Sequence, residues 1–140
     1  MAFIEWNDRL ATHIKVVDEE HKFLIENLNV LYEVSTDRTS ATEERDKLAR
    51  AVLENLGYYI HTHFVVEEEL MRVFQYPGTD AHKAEHKGFT DKITYLAGVI
   101  SEGGMDISIA LLTFLKDWLS THIMETDARM GKFLTERGQN

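Results

Sequence analysis

The sequence has no cysteine and only one proline in its 140 residues. Without thiols, the chain cannot hold an iron–sulfur cluster, a thiolate zinc site or a haem attached through cysteine. One proline and eight glycines also disfavour a loop-rich or all-β chain. The 44% hydrophobic and 28% charged residues are typical of a globular protein rather than a disordered one. We therefore expect a single domain, residues 1–140, that buries its core without disulfides.

Basic residues are also scarce, because 15 lysines and arginines face 24 acidic residues and leave a net charge of −9. Nucleic-acid-binding proteins draw most of their affinity from neutralising phosphates, so this balance argues against a nucleic-acid partner. The first residues show no basic stretch followed by an apolar core, as a secretion signal would. No apolar run approaches the roughly 20 residues needed to cross a bilayer. The expected protein is soluble and cytoplasmic, with no membrane insertion.

Apolar residues recur at intervals of three and four, which predicts amphipathic α-helices. After an extended N-terminal arm over about residues 1–17, the predicted helices cover about residues 18–36, 42–74, 80–101 and 106–126. Asp18 is the predicted N-cap of the first helix, and Tyr76-Pro77-Gly78 separates the second helix from the third. The last residues contain apolar side chains that suit a short C-terminal helix. Short turns between four helices predict an all-α fold, an up-down-up-down antiparallel four-helix bundle.

Six polar residues interrupt the apolar faces of these helices: His21, His63, Glu67, His82, His86 and His122. His63 precedes Glu67 by four residues, so the two lie one turn apart on the same helix face, and His82 and His86 share this spacing. One histidine on an apolar face is usually a core residue with satisfied hydrogen bonds. Six polar groups on four helices would each need separate compensation for burial, whereas a metal cluster would satisfy them together.

Simple helical periodicity does not place Asp127 beside His122. Asp127 follows His122 by five residues, which is about 140° around an ideal α-helix. Either the helix is distorted there, or the carboxylate reaches the ligand cluster from its flank. Spacing alone leaves open whether Asp127 belongs to the site.

These segments resemble the hemerythrin family, and more narrowly its single-domain bacteriohemerythrins. The resemblance spans nearly the whole chain and rests on Trp6, Asp18-Glu-Glu-His21, His63-Phe64, Glu67-Glu68, His82-Lys-Ala-Glu-His86, Trp118-Leu119, His122-Ile123 and Asp127. Every ligand position of the family pattern is filled by the expected residue type, in order and at the expected spacing. The family uses a carboxylate five residues after the last histidine, so the resemblance favours Asp127 as a ligand.

The resemblance implies two iron ions joined by an oxo or hydroxo bridge and by the carboxylates of Glu67 and Asp127. It assigns three histidines to one iron, namely His82, His86 and His122. It assigns His21 and His63 to the other iron, which then keeps one open coordination position. The implied function is reversible dioxygen binding for storage, delivery or buffering of O₂.

Apolar side chains at helical spacing from the ligands are expected to line the O₂ pocket: Leu24, Phe64, Trp118, Leu119 and Ile123. They are core residues as well, and a dry core and an oxygen pocket are compatible. His61 is expected on the surface, and we assign no chemistry to His13. Glu68 is a candidate for a hydrogen bond to a ligand histidine.

Two other functions stay open at this level. One is a di-iron enzyme, such as an oxidase, a peroxidase or a nitric-oxide-handling protein, and the other is a sensor acting through a partner. Oxygen-activating di-iron enzymes on four-helix bundles typically use four carboxylates and two histidines. The five histidines and two carboxylates here favour a carrier that is not an enzyme, with at most a weak oxidase or peroxidase side activity. We expect a monomer, and a possible protein partner would be one that accepts O₂. Manganese or zinc would also tolerate several of these ligands.

Overall fold

The computed structural model describes residues 3–37, 39, 42–101 and 109–140. After a 3₁₀ turn at Asp8–Leu10, the helical elements are α1 (Lys15–Thr36), α2 (Thr42–Phe74), α3 (Thr79–Ser101), α4 (Ile109–Thr121), a π-helical segment (His122–Asp127) and α5 (Ala128–Thr135). No strand occurs within the described ranges. The predicted all-α fold is therefore confirmed. The predicted start of the fourth helix at residue 106 lies outside the described residues.

The first helix begins earlier than its predicted N-cap. α1 starts at Lys15, with Ile14 in the capping position and no side-chain capping bond. The prediction that Asp18 is the N-cap is wrong, because this residue already lies in the first turn. Its carboxylate folds back and accepts hydrogen bonds from the Thr12 N–H at 2.8 Å and the His13 N–H at 3.1 Å. Asp18 thus fastens the arm to the helix start, where acidic groups are favourable.

The N-terminal arm is anchored to α1 by both polar and apolar contacts. The Ile4 N–H donates to Asn29 Oδ1 and the Asn29 side-chain amide donates back to the Ile4 carbonyl, both at 2.9 Å. The Phe3 ring stacks on Tyr32 with 4.3 Å between ring centroids. At the end of the arm, His13 has a φ of 66°, in the left-handed region that favours glycine.

The corner between α2 and α3 has the hydrogen bonds of a Schellman motif. The Tyr76 N–H donates to the Met71 carbonyl at 3.0 Å, and the Gln75 N–H donates to the Arg72 carbonyl at 3.2 Å. Gln75 takes the left-handed position, with φ of 54°, where glycine is usual. The helix thus ends just before Tyr76-Pro77-Gly78, the corner that the sequence predicts.

The three C-terminal elements form one continuous helical rod. Thr121 and Ala128 flank the π-helical segment with ordinary α-helical φ and ψ values. The expected C-terminal helix is therefore present, but it continues from α4 without a turn. The π-helical turn between α4 and α5 contains two candidate ligands, His122 and Asp127.

Two hydrophobic clusters hold the bundle together. The larger fills the bundle between α1, α2, α3 and α4, and it includes Leu24, Leu28, Leu56, Phe89 and Leu115. A smaller cluster lies beneath the end of the arm: Ile14, Val17, Met71, Met130 and Leu134. Fully burying such a side chain stabilises a fold by about 1.5–3 kcal/mol. None of the described helices is long and apolar enough to cross a membrane.

Candidate metal centre

The bundle core contains all seven residues that the sequence analysis singles out as ligands. Their side chains come from α1, α2, α3 and the π-helical segment, and none is more than 3% exposed: His21, His63, Glu67, His82, His86, His122 and Asp127. Seven polar groups at this depth would be costly without partners. The fold therefore gathers into one place residues that are spread over most of the chain.

The seven side chains form two overlapping groups. One contains the imidazoles of His82, His86 and His122, and the other contains those of His21 and His63. Glu67 and Asp127 belong to both groups. Within each group the candidate ligand atoms all lie within 4.8 Å of one another. Such spacing suits two neighbouring metal ions that share the two carboxylates.

Each carboxylate divides its two oxygens between the two groups. Asp127 Oδ1 lies 3.0 Å from His82 Nε2 and 3.2 Å from His122 Nε2. Asp127 Oδ2 lies 3.0 Å from His21 Nε2 on the opposite side. Glu67 follows the same pattern, with Oε1 3.1 Å from His86 Nε2 and Oε2 3.1 Å from His63 Nε2. Both side chains therefore span the gap between the groups.

The residues present fit a pair of metal ions. Six buried atoms that point into the centre have no hydrogen-bond partner: His21 Nε2, His63 Nε2, His82 Nε2, Glu67 Oε2 and both carboxylate oxygens of Asp127. They approach one another closely without hydrogen-bond geometry, as donor atoms around a shared cation do. Imidazole and carboxylate donors together suit iron, and also manganese or zinc.

The π-helical segment accounts for the position of Asp127. A π-helix bonds each N–H to the carbonyl five residues earlier, so residues five apart come one turn apart. His122 and Asp127 are the first and last residues of this segment. The spacing left two alternatives open, and the structure shows the first of them, a distorted helix. Asp127 therefore faces the other candidate ligands.

Burial and neighbouring negative charge shift the pKa values of these histidines in opposite directions. Burial lowers the pKa of His63, but the Glu67 charge and a hydrogen bond with Glu20 more than offset it and raise the pKa to about 10. Burial likewise lowers the pKa of His122, and the adjacent Asp127 carboxylate raises it, to about 10 overall. The centre thus attracts positive charge strongly, either as protons or as metal ions.

Three further carboxylates bind the outer nitrogens of candidate ligands. Glu20 Oε1 lies 2.9 Å from His63 Nδ1, and Glu68 Oε2 lies 2.9 Å from His86 Nδ1. Glu85 Oε1 lies 3.0 Å from His122 Nδ1. Such contacts fix the ring orientation and leave Nε2 for a metal.

The sequence analysis considered Glu68 for this role but missed Glu20 and Glu85. Both are acidic residues directly before a candidate ligand, in Glu20-His21 and Glu85-His86. Their position directly before a candidate ligand is misleading, because Glu20 and Glu85 each bind a histidine on another helix and not the neighbouring histidine in the sequence.

The residues expected to line an O₂ pocket differ in their contacts. Leu24, Leu119 and Ile123 are buried at 2% exposure or less. Phe64 stacks on His86 with 3.7 Å between ring centroids, and Trp118 stacks on His122 at 4.5 Å. The two aromatic rings therefore cover two imidazoles of the three-imidazole group, His86 and His122.

Two other histidines lie apart from the centre. His61 is exposed, as predicted from its position two residues before His63. His13 is exposed too, at the end of the arm. The centre therefore contains only the five histidines that interrupt the apolar helix faces.

A helical bundle with five buried imidazoles and two carboxylates shared between them is typical of the class of cation-binding bundle proteins. The Hemerythrin HHE cation binding domain matches residues 12–134 of the chain. The chain belongs to the hemerythrin family.

Individual relatives agree with this assignment. The bacteriohemerythrin of Stenotrophomonas maltophilia is 35% identical over 127 residues, which cover 91% of this chain and 78% of that protein. The bacteriohemerythrin of Methylococcus capsulatus is 29% identical over 136 residues, covering 96% and 99%. The crystal structure of a wild-type hemerythrin superimposes with a TM-score of 0.87 at 25% identity, covering 96% of this chain and 99% of that one. These structural neighbours confirm the predicted four-helix bundle.

Proposed function

We propose that the protein binds dioxygen reversibly at a non-haem di-iron centre and thereby stores, delivers or buffers O₂. The observation that carries this proposal is the unequal division of five buried imidazoles around two shared carboxylates. The iron pair, when bound, supplies the electrons that make O₂ binding reversible. The protein's part is to hold the ions, to keep one coordination position free and to exclude water.

In this proposal His82, His86 and His122 hold one iron, and His21 and His63 hold the other. Glu67 and Asp127 bridge the pair, supported by the division of their oxygens between the two groups. With an oxo or hydroxo oxygen counted, three imidazoles and two carboxylates would supply six donors to the first iron. Two imidazoles and the same oxygens would supply five donors to the second iron, so one position would stay free on the side of His21 and His63.

Water exclusion is assigned to the apolar side chains around the centre. Leu24, Leu119 and Ile123 are almost fully buried, and the rings of Phe64 and Trp118 cover two of the ligand imidazoles. A dry surrounding slows the loss of electrons and protons that would turn reversible binding into oxidation. We propose that these five residues form the apolar wall of the oxygen pocket, with Phe64 and Trp118 on the side of the three-imidazole group.

A carrier fits the ligand set better than an enzyme does. Relatives named bacteriohemerythrin and myohemerythrin match most of the chain, and this supports an oxygen-binding role. Two anionic side chains stabilise ferric iron less than the four carboxylates of oxygen-activating di-iron enzymes. No feature of the described residues favours a signalling output over a carrier.

The test is to mix the reduced, iron-loaded protein with O₂. A coloured adduct that returns to the colourless form under vacuum is the expected result, with two iron ions per chain. Rapid conversion to a diferric form with release of peroxide would instead indicate an oxidase. The exposed Glu69→Ala variant is a suitable control, because Glu69 pairs with Arg72 on the surface and should leave the adduct unchanged.

Three expectations remain predictions beside this proposal. They concern a monomeric state, a cytoplasmic location and a protein partner that accepts O₂. Light scattering, cell fractionation and co-purification from a native extract would test them in turn.

A further inference from the structure

Thr126 and Asp127 are neighbours in the sequence, and the helical register determines which of them faces the other candidate ligands. In an ideal α-helix, a residue four positions after His122 lies about 40° from it, and one five positions after lies about 140° from it. Thr126 would therefore face the centre from an α-helix, and Asp127 would not. The π-helical turn reverses this order, since both Asp127 oxygens lie beside imidazoles from other helices.

The Thr126 hydroxyl lies beside the carboxylate of Glu85 on α3. It donates to both carboxylate oxygens of Glu85, at 2.8 Å and 3.0 Å. One of these oxygens also lies 3.0 Å from His122 Nδ1. Glu85 therefore contacts both His122 and Thr126, near the two ends of the π-helical segment.

This arrangement differs from those of the other two outer carboxylates. Glu20 lies beside His63 and Glu68 lies beside His86, and both of these imidazoles are on α2 or α3, which are regular α-helices. Only the Glu85 contacts cross to a helical turn of unusual register. A π-helical turn is rare and is frequently found at functional sites, so contacts that cross to it are candidates for stabilising it. A hydrogen bond from a buried hydroxyl to a carboxylate is a strong contact of this kind.

We propose that Glu85 is a positioning residue that holds the π-helical register of residues 122–127 through Thr126 and His122. By keeping Thr126 outward, it presents Asp127 to the centre. By accepting a hydrogen bond from His122 Nδ1, it turns Nε2 of that imidazole inward. The part of the proposal that concerns iron rests on the function proposed above.

An electronic effect accompanies the geometric one. A carboxylate on the outer nitrogen of a ligand imidazole makes the ring a stronger donor, and this favours ferric over ferrous iron. Removing the charge of Glu85 without changing its shape should therefore shift the reduction potential in the positive direction. A residue that only packed against the helix would have no such effect.

The register is tested with three variants at two positions. Thr126→Val keeps the side-chain shape but has no hydroxyl, and its crystal structure should show residues 122–127 in α-helical hydrogen bonding with Asp127 displaced. Thr126→Ser keeps the hydroxyl and should keep the π-helical turn, whereas Glu85→Ala should lose it. Glu20→Ala removes the corresponding carboxylate from His63 and serves as the matched control with an unchanged register. A π-helical turn that persists in both Thr126→Val and Glu85→Ala would overturn the proposal.

The electronic effect is tested with Glu85→Gln, which can still accept the hydrogen bond from His122. We expect iron release to be about tenfold to a hundredfold faster than in the unmodified protein. The reduction potential should rise by about 59 mV for each tenfold loss of ferric over ferrous affinity. An unchanged potential together with an unchanged release rate would contradict the electronic role.

The two proposals fail separately. If the unmodified protein carries no iron pair or forms no reversible adduct, the proposed function is wrong. The register of residues 122–127 in the Thr126 and Glu85 variants is read from the backbone and does not depend on that result.

Discussion

The N-terminal arm crosses α5 directly above Gly131, where a Cβ atom would lie only 2.8 Å from the carbonyl oxygen of Thr12 and 3.0 Å from its Cβ. Thr12 cannot move freely, because its N–H and hydroxyl both donate to Asp18, at 2.8 Å and 2.7 Å. Glycine at position 131 is therefore a requirement of the close approach between the arm and the helix.

We accordingly expect Gly131→Ala to destabilise the protein by about 1–3 kcal/mol, as overpacking commonly does. Gly57→Ala is the matched control, because it is also a helical glycine and its added Cβ meets no atom within 4 Å. That change should stabilise the protein by about 0.5–1 kcal/mol. Urea unfolding of both variants measures the two effects. Equal stability of the two variants would show that the arm adapts without cost.

Glu67→Ala removes the side chain that lies between the two imidazole groups. Because Glu67 Oε1 and Oε2 face opposite groups, we expect iron content to fall from two ions per chain to one or none. Metal analysis and the optical spectrum of the oxidised protein measure this loss. Glu69→Ala, on the exposed surface of the same helix, should keep both ions. Two irons with an unchanged spectrum in Glu67→Ala would contradict the bridging role.

Trp118→Ala removes the ring that stacks on His122, with 4.5 Å between centroids, and that contacts the tilted ring of Phe89, with 4.2 Å between centroids. The opening admits water to the centre, so autoxidation of the oxygenated protein should be roughly tenfold faster, a size typical of changes around a metal ligand. The decay of the adduct's visible absorption measures this rate. Trp118→Phe retains an aromatic ring, so its autoxidation rate should be close to that of the unmodified protein. An unchanged rate in Trp118→Ala would place the pocket wall elsewhere.

The metal-free protein should become less stable as pH rises from about 7 to 10. His63 and His122 have pKa values of about 10 in the folded chain, against an ordinary value of 6.5. Their protonated forms therefore contribute stability that is fully present below pH 6.5 and is lost as pH rises through about 10. Urea midpoints at several pH values measure this loss, which should be smaller in His63→Gln.

Metal binding should show the opposite dependence on pH. A metal ion binds the deprotonated imidazole, so the apparent iron affinity should increase over the same range as protons leave His63 and His122. Proton release on loading, followed with a pH indicator, gives an independent measurement. Loading without proton release at neutral pH would contradict the raised pKa values.

The bundle and the residue types of the candidate ligands could be predicted from the sequence. Helical periodicity is a local property, so apolar stripes predict the helices, and polar interruptions such as His63 and Glu67 mark the buried polar positions. The predicted second helix, about residues 42–74, has the same bounds as α2 (Thr42–Phe74). The assignment of these residues to individual irons remains a prediction.

Features that join distant parts of the chain could not be predicted in this way and depend on how the helices pack. Spacing left Asp127 open, because a π-helical turn does not appear in a periodic pattern and is stabilised here by contacts of Thr126 with another helix. The contacts of Glu20 with His63 and of Glu85 with His122 were missed for the same reason, since each crosses between helices. Packing, and not local sequence, determines which oxygen of each carboxylate faces which imidazoles.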